Sequence, residues 1–364
     1  MKPNRPSFLF RSATFGVIFS LAASSRSCAL TFNLSYDSST SNAPAGFFSA
    51  FQAAINFYET NYTDPITINL HVGWGEINGQ SLNAGNIGQS STFQPAFYTY
   101  SQIRAALISD AKSPDDATAV ANLPASDPTG GASFTMANAE AKALGLLPGN
   151  ATGTDGFVGF ATNVSYTFDP NNRAVPGKYD FFALASHEVT EIMGRYGLGE
   201  NGQSSGLYCP IDLFRYLSSG HLDLVPTNGA YFSIDGGHTV INTFHGTGGG
   251  DLSDWLGTTL DSYNEALTQG QKLNISAGDL TEMDVLGYDR VAPSPLLVIA
   301  PTSSRNIVIS WSSAYTNFVV QTNSNLATTN WQSANYTITT TNGTNHSISI
   351  TPSPAGKLLF RLKQ

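Results

Sequence analysis

The stretch Lys178–Arg195, K-Y-D-F-F-A-L-A-S-H-E-V-T-E-I-M-G-R, constrains this chain more than any other. Asp180 can cap the start of a helix there, and Gly194 can end it. Between them Phe181, Phe182, Leu184, Ala185, Val189, Ile192 and Met193 leave almost no polar face. A helix that is apolar nearly all round is buried, so His187, Glu188 and Glu191 are carried inside with it. At about 100° per residue, His187 and Glu191 stand about 40° apart, one turn along the same face. Glu188 lies roughly 100° from His187, beside that pair. Burying two carboxylates is costly without a counter-charge, and no Lys or Arg lies between Lys178 and Arg195. A divalent cation would supply one.

Zinc chemistry explains the spacing. A neutral imidazole and a carboxylate one helical turn apart can hold one ion at about 2 Å. Glu188 would then serve as general base towards a metal-bound water. On an exposed helix H-E-x-x-E would be a pair of solvated side chains; the apolar context argues against that.

The longer stretch from Asp169 to Arg195 resembles a family of secreted bacterial zincin-like metallopeptidases with a helix of the form H-E-[IV]-[TS]-E-[IV]-M-G-R. Further matching stretches are Pro210–Tyr216, Tyr231–Gly237, Gly250–Trp255 (G-D-L-S-D-W) and Leu280–Tyr288. The resemblance implies an α+β, metzincin-like catalytic domain, a zinc ion and a protein or peptide substrate. It also implies Glu188 as the catalytic residue and His187 and Glu191 as metal ligands. The chain departs from ordinary zincins, which have His where Glu191 stands. It also has Gly197 where metzincins place a third His. Asp212, downstream of the helix, is the first candidate for the third ligand, followed by His245 and Asp251 on either side of Gly246–Gly250. Asp212 has a bland alternative as a turn or helix cap. Asp251 and Asp254 beside Gly248–Gly250 form a candidate structural calcium loop, although the spacing matches no EF-hand.

Organisation follows from composition. Lys2, Arg5 and Arg11 precede the apolar run Ala13–Ala23, and Ser27-Cys28-Ala29 offers small residues for cleavage, so residues 1–29 read as an export signal and the product as secreted. Removing it takes four of the 17 basic residues and none of the 26 acidic ones, moving the formal charge from −9 to −13. That balance excludes nucleic acid as a partner, and no apolar segment is long enough for a transmembrane helix. Only Cys209 then remains, which excludes a disulfide framework and a cysteine zinc site; a small buried residue is its simplest role.

A zincin-like domain is expected over residues 30–292 and an accessory domain over 293–364. The boundary falls at Ala292-Pro293-Ser294-Pro295, beyond which there is no carboxylate side chain. Short strand-like runs such as Ile307–Trp311 and Ser347–Ile350 give the last part the reading of a small β-sandwich. It resembles fibronectin-like accessory domains of secreted bacterial proteins through Thr328–Trp331 and Leu359–Leu362. In the front domain strands are expected at Leu30–Tyr36, Ile66–Gly73, Gly156–Thr162 and Ser165–Phe168. Helices are expected at Gly46–Tyr62, Tyr100–Ala111 and Met136–Leu147. Two functional alternatives stand beside the peptidase. One is a degenerate zincin that binds metal or a surface ligand without catalysis. The other is a carboxylate-pair glycosidase, for which only composition speaks.

Overall fold

The computed structural model describes residues 30–94, 96–197, 206–247, 250–291, 297–302, 306–313, 318–325, 327–333, 336–341, 345–351 and 358–363. The export-signal expectation and the Ala292–Pro295 linker lie outside them. The chain divides into two compact units, the larger ending at Val291 and the smaller beginning at Ala292. The architecture is mixed α/β, and among the described residues no helix is long and apolar enough to cross a membrane.

The larger unit opens with strand β1 (Thr31–Tyr36), helix α1 (Phe47–Asn61) and strand β2 (Thr67–Trp74), and β1 and β2 pair in parallel. Ile68, Leu70 and Val72 are buried while Thr67, Asn69 and His71 are only half-buried, the alternation of a strand with one covered face. Strand β3 (Gly88–Thr92) follows, and then β4 (Ser133–Phe134), which pairs with Leu207–Tyr208. Strand β5 (Gly156–Phe160) pairs in parallel with β2 and antiparallel with β3, so the sheet order is β1-β2-β5-β3 with β3 as the reversed edge.

Helices α2 (Tyr100–Asp110), α3 (Pro114–Asn122), α4 (Asn138–Ala143), α5 (Phe181–Ile192) and α6 (Ala277–Val285) belong to the same unit, as does a second four-stranded sheet within residues 215–243. Helix α5 is seated by aromatic packing. The Phe181 ring lies 4.8 Å from that of Phe160 on the sheet and 5.3 Å from that of Phe47 on α1, and all three residues are fully buried. Asp180 caps α5 by accepting from the Ala183 backbone N–H at 3.3 Å, and Arg173 holds that carboxylate at 2.9 Å. The helix turns off after Met193, at Gly194.

The smaller unit has two antiparallel sheets, of four and three strands, in a β-sandwich-like arrangement. Ile309, Trp311, Val320, Ile348 and Ile350 form its core.

Candidate metal centre

His187, Glu191 and Asp254 converge on one point. Their ligand atoms all lie within 4.8 Å of one another, and all three residues are buried. The first two are brought together by the turn of α5. Asp254 is delivered from elsewhere by its neighbour Trp255, whose ring is buried 5.1 Å from Phe244 and 5.9 Å from Phe232. The indole N–H of Trp255 also donates to Asp279 on α6 at 2.8 Å. An apolar anchor of that size fixes the backbone on either side of it, and Asp254 is carried in beside it.

Each donor is oriented. Nδ1 of His187 lies 2.9 Å from the Ser262 carbonyl, which can only accept, so Nδ1 carries a proton and Nε2 faces the carboxylates. Nε2 stands 3.2 Å from Oε1 of Glu191 and 3.5 Å from Oδ2 of Asp254. Ser90 on the edge strand β3 donates to Oε2 of Glu191 at 2.6 Å. Glu188 approaches β3 so closely that a Cβ on Gly88 would stand 2.3 Å from its Oε1. Any side chain at position 88 would displace that carboxylate. Glu188 is 5% exposed, and among the described residues its carboxylate makes no hydrogen bond or ion pair.

The counter-charge missing from the sequence reading is Arg195 itself. The chain folds back after Gly194 and buries the guanidinium completely. Nη1 donates to Oδ1 of Asp254, Nη2 lies 3.5 Å from Oε1 of Glu191 and 3.3 Å from the His187 carbonyl, and Nε donates to Thr190 at 3.0 Å. Its carbon centre sits 4.5 Å from the centre of the Tyr263 ring. Arg stays charged in any protein setting, so one of the two ligand carboxylates is neutralised without a metal. Glu188 is not, and burial together with the Glu191 charge pushes its carboxyl well above the usual range. Around one point the fold thus gathers three buried carboxylates, one guanidinium and one imidazole, a donor set compatible with a divalent cation.

Burial disfavours a charged His187, but Asp254 and then Glu191 outweigh it and raise the imidazole to about 10. A metal needs the Nε2 lone pair and must displace that proton. Below the raised pKa His187 holds the proton, so competition weakens as pH rises. Apparent affinity for a divalent ion should climb about tenfold per unit between roughly pH 6 and pH 8. Calorimetry in two buffers of different ionisation enthalpy counts the proton; a pH-independent affinity would show that His187 is neutral before the ion arrives.

These side chains open on a cavity of about 680 Å³ between β3 and the Gly250–Leu267 segment. Of the third-ligand candidates, Asp251 lies on its rim, exposed. His245 contributes its backbone, donating from N–H to the Asp254 carbonyl at 2.6 Å. Asp212 is a correction: it does not join the group. Cys209-Pro210-Ile211-Asp212 starts a short 3-10 turn in which the Asp212 carboxylate accepts from the Cys209 N–H at 2.8 Å, the capping role of an acid at the third position. Cys209 is buried, as expected for its size. His71 is half-buried on β2 beside Asp37 and has no part in the site.

Asp254, Arg195, Ser90 and Ser262 are the residues whose roles here were not read from the sequence. A signal for Asp254 was present, since an acid directly before a Trp is drawn inside with it. Compared with known proteins, the chain matches no family model, no curated protein and no solved structure.

Proposed function

We propose that the larger unit is a zinc-dependent peptidase of the zincin kind. One observation carries the reading: a buried His-Glu-Asp donor group stands beside a buried, unpartnered glutamate on the wall of an open cavity. One nitrogen and two carboxylate donors, with a side left for water, suit catalytic zinc. The order of elements, a β-α-β start with further strands before the His-Glu helix, supports it.

In this reading His187, Glu191 and Asp254 hold the ion, with Arg195 and the Ser262 carbonyl fixing their orientation. Zinc, when bound, supplies a more acidic water and a polarised substrate carbonyl. Glu188 would be the chain's own proton acceptor beside that ion and would return the proton to the departing amine. Ser90, by donating to Oε2, would leave Oε1 of Glu191 for the ion.

Elemental analysis of the purified protein beside His187→Ala tests the metal centre. About one zinc per chain, lost in the variant, is expected. Absence of metal from both, after zinc has been offered and the excess removed, would overturn it. Bound zinc without turnover across a broad peptide library would favour the non-catalytic alternative, a ligand-binding zincin.

A further inference from the structure

Five carboxylates belong to the cavity wall: Glu188, Glu191, Asp251, Asp254 and Glu265. Arg195 and a bound dication would answer the inner group, Glu188, Glu191 and Asp254, and leave Asp251 and Glu265 with no cation in the cavity wall. No Lys or Arg lines the cavity among the described residues. The charge is also one-sided. The β3 wall is neutral, with Gln89, Ser90 and Ser91, whereas Asp251 and Glu265 face it from the opposite rim, both exposed. Gly250 has φ +82°, and a Cβ there would stand 2.5 Å from Oε1 of Glu265, so the Glu265 side chain lies over the residue preceding Asp251. Neither rim carboxylate makes a side-chain hydrogen bond or ion pair among the described residues. Glu188, 5% exposed and without a hydrogen bond or ion pair among the described residues, lines the same cavity and is a further polar group there open to a donor.

Resting on the peptidase reading, we infer that Asp251 and Glu265 form a subsite for a cationic side chain, so that the cavity selects peptide segments carrying Lys or Arg close to the bond held at the metal. A peptide entering the cavity removes water from both rim acids. That is unfavourable unless the occupant is positively charged, and an acidic occupant meets like-charge repulsion as well. The effect is electrostatic at a partly open rim, so salt weakens it.

The test uses binding rather than turnover. Zinc-loaded Glu188→Gln protein is titrated with two fluorescent peptides, identical except that Lys or Glu flanks a central Ala-Leu pair. The Lys peptide should bind at least about tenfold more tightly at low salt. The preference should vanish when Asp251→Asn and Glu265→Gln are added. Equal binding of both peptides, binding of neither, or a preference that survives the double substitution would overturn the inference. So would loss of zinc from the double variant, which would make Asp251 a ligand. A fall from two bound ions to one would likewise assign the rim to a second metal. Failure of wild-type protein to cleave any peptide would instead refute the peptidase reading while leaving the binding result to stand.

Discussion

Replacing Glu188 by Gln is expected to lower peptide hydrolysis by about 10²- to 10⁴-fold, the range for removing a positioned general base, while bound zinc stays near one per chain. The substitution keeps shape and removes only the ability to take a proton. It should not disturb folding, because Glu188 makes no hydrogen bond or ion pair among the described residues and its carboxyl is already pushed towards the neutral form by burial and by Glu191. A base must be ionised to act, so wild-type activity should fall on acidification. Parallel measurement of turnover and metal content reads the result. A variant that cleaves like wild type would remove Glu188 from the mechanism, and one that loses zinc would make it a ligand instead.

What the sequence disclosed of this site depended on how local the cause was. Helix α5 was legible because its cap, its apolar surface and its end all lie within Asp180–Gly194. The same holds for β2, whose alternation reports one covered face. Strand β3 gave no signal. Gly88-Gln89-Ser90-Ser91-Thr92 contains no large apolar residue, because its side chains meet Glu188, Glu191 and the cavity instead of a core. The choice of Asp212 failed for a related reason, since a capping acid and a ligating acid look alike until the chain is folded. Asp254 belongs to the centre only through the packing of Trp255 against Phe232 and Phe244, residues far from α5 in sequence. The argument that buried acids need a cation overlooked the one at the edge of the motif, Arg195, which pairs with both Asp254 and Glu191 once the chain folds back.

Substituting Arg195 by Leu should then be severe in the metal-free protein. The guanidinium is fully buried between Asp254 and Glu191, and its removal leaves two buried carboxylates facing one imidazole. Deleting one partner of such a network costs about 3–5 kcal/mol, or a fall on the order of 10 °C in the melting temperature for a unit of this size. Arg195→Lys should lie between, since an ammonium keeps the charge but cannot reach Thr190, Asp254 and Glu191 together as the planar fork does. Zinc separates this electrostatic account from simple loss of packing. The unneutralised carboxylates of the Leu variant attract a dication more strongly, and ligand binding to the folded state raises stability in proportion to its affinity. Zinc should therefore raise the melting temperature of Arg195→Leu by more than it raises that of the wild type. Equal zinc shifts in the two proteins would mean that Arg195 serves as a packed side chain over Tyr263, and that the ligand carboxylates do not depend on its charge.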